Sequence, residues 1–293
     1  MSDHLKELLA GHKATIEEAM GSILPMCPPA ASIIDEAMRY SLLAGGKRLR
    51  PGMMLAVADA LGGKRENVLP VACAIEMIHT YSLIHDDLPC MDDDALRRGK
   101  PTCHVKYGEG MAVLAGDALS NAAFWVIATH TEDKDLVAPL IAELATAAGT
   151  SGMIGGQVLD IVSEGAEPEI EAVREIHRRK TGALFVAALQ LGAIASRATE
   201  DQLARICEFG RRVGLAFQIM DDILDLESDA ATLGKTAGKD LEQGKMTYPA
   251  CIGVEASRSE AKELIDGGRA LLDGLDPKGD LEALAGFIYS RLN

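Results

Sequence analysis

The stretch LIHDDLPCMDDDALRRGK, residues 83–100, concentrates negative charge and follows it with cations. Five aspartates lie within the nine positions that begin at Asp86, and Arg97 and Arg98 come shortly after them. Carboxylates crowded in this way repel one another, so their pKa values rise unless a cation compensates them. Hard oxygen ligands suit Mg²⁺, which prefers a few carboxylates, several waters and substrate phosphates. The stretch therefore predicts a magnesium site beside cations that could hold an anion.

A second acidic cluster, DDILD at residues 221–225, resembles the first in reduced form. Both clusters follow an apolar helical pattern, at the helix end where acids are disfavoured by roughly 0.3–1 kcal/mol each. On a helix, Gln218, Asp221, Asp222 and Asp225 fall within an arc of roughly 100°, so three carboxylates can reach one place. Two related clusters favour a metal site over the alternative for a single charge run, a solvated acidic helix end.

Pro89 divides the first cluster, because it lacks a backbone donor and clashes with the preceding turn. An unbroken helix would place Asp93 above Asp86 and turn Asp92 away from both. Since the proline bends or ends the helix, periodicity does not decide which later aspartate joins Asp86.

Basic residues elsewhere could hold phosphate groups. In GGKRLRP, residues 45–51, two glycines precede Lys47 and Arg50 near a predicted helix start. Cations oppose the dipole preference there, so anion binding explains them better than solvation does. Lys180 and Lys235 occur in two further basic segments, HRRKTGAL and TLGKTAGKD.

Some of these residues could have a purely structural role instead. For Arg97 and Arg98, the alternative is a salt bridge with the neighbouring aspartates, although surface pairs of this kind contribute little. For His79, which lies two turns before Asp86 on the same helical pattern, the alternative is a structural role.

The composition predicts a folded all-α chain. Of 293 residues, 48% are hydrophobic and 25% are charged, which is ordinary globular usage. Helical periodicity dominates, strand patterns are nearly absent, and short Gly/Pro stops separate the segments without a linker. We therefore expect one helical domain over residues 1–293.

Charge, cysteines and hydropathy exclude several other classes. A formal net charge of −15 argues against a nucleic-acid partner bound by broad phosphate neutralisation. Six cysteines without a CxxC pair indicate neither a zinc site nor a redox dithiol. The N-terminus lacks signal-peptide order, and the apolar stretch 182–196 is too short to span a bilayer. We expect a cytoplasmic protein without stable membrane insertion.

The combined motifs resemble those of the bacterial short-chain trans-prenyl diphosphate synthases, most closely the farnesyl diphosphate synthases. The resemblance covers nearly the whole chain. It depends on six motifs: GGKRLRP (45–51), HDDLPCMDDDALRRGKPT (85–102), HRRKTGAL (177–184), GLAFQIMDDILD (214–225), TLGKTAGKD (232–240) and GKMTYP (244–249). It implies a homodimer of single-domain helical bundles of the isoprenoid-synthase type, each built around a deep central cavity.

The resemblance also implies roles for individual residues. Three Mg²⁺ ions, for which Mn²⁺ could substitute, would be held by Asp86, Asp92 and Asp221. The diphosphate of isopentenyl diphosphate would be bound by Lys47, Arg50, His79 and Arg98. The allylic diphosphate would be surrounded by Arg97, Lys180, Thr181, Gln218 and Lys235. The motifs are completed by Asp87, Asp222 and Asp225, the last two acting through water or hydrogen bonds. Catalysis would depend on Asp86, Asp87, Asp92, Arg97, Lys180, Asp221 and Lys235.

The implied reaction joins isopentenyl diphosphate to dimethylallyl and geranyl diphosphate by ionisation, condensation and loss of a proton. Tyr81, five residues before Asp86, is a bulky aromatic at the position that limits chain length in this family. With Ser82 beside it, Tyr81 favours a fifteen-carbon product, farnesyl diphosphate. Three alternatives stay open: a geranylgeranyl diphosphate synthase, a non-catalytic partner subunit, and a terpene cyclase, which would not need the GGKRLRP site.

Overall fold

The computed structural model describes residues 3–25, 27–227 and 246–289. This part of the chain is almost entirely helical, which confirms the predicted all-α class. The α-helices are α1 (Asp3–Ile23), α2 (Ser32–Leu42), α3 (Leu49–Leu61), α4 (Arg65–Asp86), α5 (Cys103–Tyr107), α6 (Glu109–His130), α7 (Val137–Ala148), α8 (Met153–Val162), α9 (Ile170–His177), α10 (Ala183–Ala195), α11 (Glu200–Glu227), α12 (Tyr248–Ile252), α13 (Val254–Arg269) and α14 (Asp280–Tyr289). Short 3₁₀ turns cover Pro29–Ala31, Lys134–Leu136 and Ala270–Leu272.

The centre of the fold consists of α3, α4 and α10. These helices are apolar on nearly all sides, which is the pattern of a helix buried by its neighbours. Helix α4 packs against α3 and α6, and α10 packs against α3, α7 and α11. One continuous cluster of buried side chains runs through them.

Two of the long helices are also apolar enough to raise the question of a membrane. By length and composition alone, α4, α6 and the stretch 134–162 could each cross a bilayer. These windows are longer than the apolar stretch 182–196, which is too short to span a bilayer. Burial inside the protein covers 72% of the α4 window, so its hydropathy is explained by its place in the bundle.

A small β-hairpin interrupts the helices. Strands β1 (Leu96–Arg97) and β2 (Lys100–Pro101) are antiparallel, and Arg97 pairs with Lys100. Arg98 and Gly99 between them have φ values of 54° and 74°, which suits a two-residue turn of a twisted hairpin. The sequence had predicted no hairpin here, and the turn directs Arg97 and Arg98 to different partners.

A π-helical turn, Arg178–Gly182, joins α9 to α10. The turn packs tightly on α8, because a β-carbon at Gly156 would lie 2.1 Å from the backbone nitrogen of Lys180. Such π turns are rare and occur frequently at functional sites. Here the turn carries Lys180 and Thr181, two of the residues implicated by the sequence.

Candidate active site

The first acidic motif folds back on itself where α4 ends. Pro89 follows the end of α4, and the backbone nitrogen of Asp92 donates to the carbonyl oxygen of Asp86 at 2.8 Å. Asp93 is instead exposed and has a φ of 50°. The turn therefore brings Asp92 back to Asp86, a choice that helical periodicity left open, while Asp92 as a metal ligand stays a prediction.

Asp86 lies among charges of both signs. Burial raises the pKa of its carboxyl group to about 6; Lys180 and Arg97 oppose this shift, whereas Asp92 and Asp87 add to it. The carboxylates are thus close enough to repel one another. The nearby cations compensate them only in part.

Asp87 and Arg97 form an ion pair at the same site. Arg97 donates from Nη2 to Oδ1 of Asp87 at 2.5 Å and from Nε to both carboxylate oxygens at 2.8 and 3.0 Å. Burial raises the pKa of Asp87, and the hydrogen bonds from Arg97 oppose that rise. The salt bridge left open by the sequence is present, so Arg97 is held by Asp87 next to the acidic motif.

Cations surround His79 on α4. Burial and then the charges of Arg50, Arg98, Arg97 and Arg48 hold the pKa of His79 well below its usual value, so the imidazole is neutral. A neutral imidazole among four guanidinium groups can donate a hydrogen bond to an anion without adding charge.

The arginines of this cluster have different partners. Arg48 is buried and donates to Oε1 of Glu76 on α4 at 2.7 Å and to the carbonyl of Leu42 on α2 at 2.8 Å. Its role is therefore structural, because it joins these two helices. Arg50 has a buried Nε without a hydrogen-bond partner in the described structure. Its pKa is lowered by burial, against the effect of Glu76 and Asp221. Arg50 is therefore the cation best placed to receive an anion.

The Gly45–Gly46 loop forms one edge of this cluster. Nη1 of Arg98 donates to the Gly45 carbonyl. Gly46 has a φ of +133°, and a β-carbon there would lie 2.7 Å from Nη1 of Arg98. Glycine is favoured at this position because a φ of +133° strains any residue with a side chain, and a β-carbon would also shift the guanidinium of Arg98. Lys47 follows the loop and is exposed.

The second acidic motif occupies the last turns of α11. Asp221 lies close enough to Arg50 to raise the pKa of that guanidinium, which connects the two halves of the site. Gln218 and Asp225 are half-buried on the same helix. Asp222 is buried, and its Oδ2 accepts from Nε2 of His177 at 2.9 Å and from the Tyr248 nitrogen at 2.7 Å. Asp222 thus bonds to neighbouring helices, because it lies at the opposite edge of the predicted arc from Asp221.

Lys180 extends from the π turn toward the first acidic motif. Its Nζ donates to Oδ2 of Asp160 on α8 at 2.5 Å, and its charge lowers the pKa of Asp86. Sequence reasoning missed Asp160, although an acid in the last turn of the apolar α8 is the same anomaly that identified the other clusters. It also missed Glu76, His177 and Tyr248, whose roles depend on partners distant in sequence. Lys235 lies outside the described residues.

The acidic residues fit a magnesium ion that is completed by other ligands. No three His, Cys, Asp or Glu side chains of the described residues lie close enough to hold a metal ion alone. Mg²⁺ usually takes one or two carboxylates together with waters and substrate phosphates. Burial chiefly, and the charges of Asp92 and Asp87 to a smaller extent, raise the pKa of Asp86, and a divalent cation would relieve both unfavourable effects.

Known proteins resemble the chain over nearly its full length. The polyprenyl synthetase family model matches residues 31–269. The geranylgeranyl diphosphate synthase of Cyanophora paradoxa is 46% identical over 99% of this chain and 97% of its own. The large subunit 1 of a heterodimeric chloroplastic geranylgeranyl pyrophosphate synthase of Arabidopsis thaliana is 48% identical over 95% of this chain and 77% of its own.

Solved structures agree with these relatives. An FPP/GFPP synthase from Zymomonas mobilis superposes with a TM-score of 0.88 at 37% identity, over 99% of this chain and all of that one. A Helicobacter pylori geranyltransferase, complexed with magnesium and isoprenyl diphosphate, has a TM-score of 0.85 at 33% identity, over 98% of this chain and 97% of its own. The chain therefore belongs to the polyprenyl synthetase family and is a trans-prenyl diphosphate synthase.

Proposed function

We propose that the chain adds isopentenyl diphosphate to dimethylallyl diphosphate and then to geranyl diphosphate, and releases farnesyl diphosphate. The observation that carries this proposal is the arrangement of two unlike charge clusters at one end of the bundle. One combines Asp86, Asp92 and Lys180, and the other surrounds His79 with arginines. Two clusters suit a reaction that holds two diphosphates, whereas a terpene cyclase holds one.

The cluster of arginines around His79 would hold isopentenyl diphosphate. The unpartnered Nε of Arg50, the guanidinium of Arg98 and the neutral His79 can donate to its phosphate oxygens. Lys47, at the edge of the cluster, adds positive charge. Fixing the diphosphate here would present the double bond of the substrate to the allylic carbon.

The cluster around Asp86 would hold the allylic diphosphate, and Asp86, Asp92 and Asp221 would bind up to three Mg²⁺ ions. When bound, Mg²⁺ supplies positive charge that makes diphosphate a better leaving group. Lys180 lies where further negative charge would develop as the allylic C–O bond breaks, and its fixed charge favours that step. The double bond of isopentenyl diphosphate then forms the new C–C bond, and a proton passes to the released diphosphate.

A coupled assay tests the reaction. With Mg²⁺ and both substrates, the protein should release diphosphate and form an elongated prenyl diphosphate. Asp86→Asn keeps the size of the side chain and removes its charge, so the release should fall by at least about 100-fold. Exposed Asp201→Asn on α11 is the control and should keep full activity. Release of diphosphate without elongation would contradict the proposal and favour a cyclase or a hydrolase.

Chain length depends on Tyr81 in this proposal. Tyr81 is 9% exposed, and its ring meets the ring of His85 edge to face at 5.8 Å. His85 in turn bonds to the Val113 carbonyl of α6 at 3.1 Å, so Tyr81 is fixed between α4 and α6. Ser82 bonds to the His79 carbonyl of its own helix. A fixed aromatic ring at this point supports a fifteen-carbon limit.

A geranylgeranyl product is the second candidate, because the curated relatives described above carry that name. Tyr81→Ala separates the two. If Tyr81 limits elongation, this variant should shift the main product from fifteen to twenty or more carbons, as measured by chromatography of the dephosphorylated alcohols. Wild-type protein that already releases twenty carbons, with no change in the variant, would contradict the role of Tyr81.

A further inference from the structure

We propose that His177, acting through Asp222, is a positioning residue that holds the second acidic motif in place for magnesium and diphosphate binding. The inference rests on the function proposed above. It adds a residue outside both acidic motifs to the machinery of the site.

Asp222 and His177 form a buried pair. Nε2 of His177 lies 2.9 Å from Oδ2 of Asp222. Because an ionised carboxylate carries no proton, the imidazole is the donor. The same Oδ2 accepts from the backbone nitrogen of Tyr248 at 2.7 Å, and the rings of His177 and Tyr248 stack within 10° of parallel. Two donors and a stacked ring fix the orientation of Asp222.

The pair joins the π turn that carries Lys180 to the second acidic motif on α11. His177 is the last residue of α9, directly before the π turn that carries Lys180. Asp222 follows Asp221 on α11, whose charge reaches Arg50. A single buried hydrogen bond therefore ties the turn that presents the cation to the helix that presents the acid.

Tyr248 connects this pair to a wider network. Its hydroxyl accepts from Nε of Arg174 and donates to Oε1 of Glu260, both at 2.8 Å. Nη2 of Arg174 donates to the same oxygen of Glu260 at 2.8 Å. The network spans α9, α11, α12 and α13. It is buried at His177 and Asp222 and partly exposed at Arg174 and Glu260, and its hydrogen bonds at the buried end hold the pair in one arrangement.

Loss of the His177 donor should affect metal binding more than folding. Asp222 would lose one of its two donors, and the end of α11 would be less firmly oriented toward Lys180. Partners that orient the groups around a metal typically change its affinity by about 10- to 100-fold when they are removed. The site for isopentenyl diphosphate, built on α3, α4, the Gly45–Gly46 loop and the hairpin turn, should be unaffected.

The test compares His177→Leu with His177→Gln, since the amide nitrogen of glutamine can replace Nε2 as a donor. His12→Leu is the matched control, because His12 is a buried histidine paired with Asp59 at 3.2 Å, between α1 and α3. The first readout is the rise in Tm on adding Mg²⁺ with inorganic diphosphate. The second readout is the Mg²⁺ concentration for half-maximal activity, beside the KM for isopentenyl diphosphate.

His177→Leu should lose most of the Tm rise and need about tenfold more Mg²⁺, with an unchanged KM for isopentenyl diphosphate. His177→Gln should recover most of both, and His12→Leu should keep the full Tm rise despite lower stability. If His177→Leu does not fold, Tyr248→Phe replaces it and should shift the Mg²⁺ requirement in the same direction.

The positioning role would be overturned, and the proposed function left intact, if His177→Leu needed no more Mg²⁺ than the wild type. The same holds for Tyr248→Phe where that variant replaces it. If His12→Leu lost as much of the Tm rise as His177→Leu, the effect would be one of general stability, and the positioning role would again be overturned. A wild-type protein that forms no prenyl product would instead refute the proposed function itself.

Discussion

The guanidinium of Arg50 combines burial with an Nε that has no partner in the described structure. A buried donor without an acceptor is costly, and the charges of Glu76 and Asp221 oppose but do not cancel the effect of burial on the pKa of Arg50. Asp86 shows the opposite imbalance, because burial and neighbouring acids raise its pKa to about 6. At the residue scale, one group is suited to an incoming anion and the other to an incoming cation.

Replacing Arg50 tests the anion site. Arg50→Met keeps the length of the side chain and removes the charge, so the KM for isopentenyl diphosphate should rise by about 10- to 100-fold, the range for a lost charged hydrogen bond. Arg211→Met, at an exposed arginine of α11, should leave the KM unchanged. Steady-state kinetics with saturating allylic substrate decide this, and an unchanged KM in Arg50→Met would contradict the assignment.

Asp92 and Asp93 are adjacent but have different environments. Asp92 bonds back to Asp86, whereas Asp93 is exposed in a left-handed conformation that asparagine also tolerates. Asp92→Asn should lower kcat by about 100-fold or more and raise the Mg²⁺ requirement, because it removes the charge of a proposed metal ligand. Asp93→Asn should stay near wild type. A Mg²⁺ titration of both variants checks this, and equal losses would contradict the choice of Asp92.

At the scale of elements, sequence periodicity predicted the helices that carry the site. It identified α11 and the acidic face near its end, and the Gly45–Gly46 loop before α3. It did not predict the π turn at Lys180, which depends on packing against α8, or the hairpin at Arg98, whose strands of two residues are too short for a periodic pattern. Periodicity also grouped Asp222 with Asp221, because it predicts which residues share a helix face. It does not predict that Asp222 bonds to His177 of α9.

The Gly45–Gly46 loop gives a prediction at the element scale. Gly46→Ala adds a β-carbon at a φ of +133° and against Arg98. The free energy of unfolding should fall by at least about 1 kcal/mol, and the KM for isopentenyl diphosphate should rise. Gly11→Ala in α1, with open space around it, should raise that free energy by about 0.5–1 kcal/mol. Denaturant unfolding measures both, and equal effects of the two variants would contradict the role of Gly46.

At the scale of the whole molecule, we propose that two copies of the chain associate through α6. Val113, Leu114 and Trp125 are all exposed on α6, at 41%, 55% and 42%. They fall within an arc of roughly 120° that also includes the exposed polar residues Asp117 and Asn121, which gives a mixed face of the kind that interfaces open to solvent present. A second copy of the same chain would cover both faces at once, as expected of a symmetric dimer.

Leu114→Glu tests the dimer by placing a charge within this face. The variant should elute as a monomer with half the molar mass of the wild-type particle in light scattering, because a buried unpaired charge is strongly unfavourable. Leu226→Glu, at another exposed leucine on α11, is the control and should remain dimeric. A monomeric wild-type protein would contradict the homodimer.

Product analysis tests the proposed reaction and its chain length in one experiment. The wild-type protein is incubated with Mg²⁺ and isopentenyl diphosphate, with dimethylallyl or geranyl diphosphate as the starter, and the dephosphorylated products are separated by length. Farnesol is expected from both starters, with no product in EDTA. A twenty-carbon alcohol as the main product would contradict the limit set by Tyr81, and no condensation with either starter would contradict the proposed reaction itself.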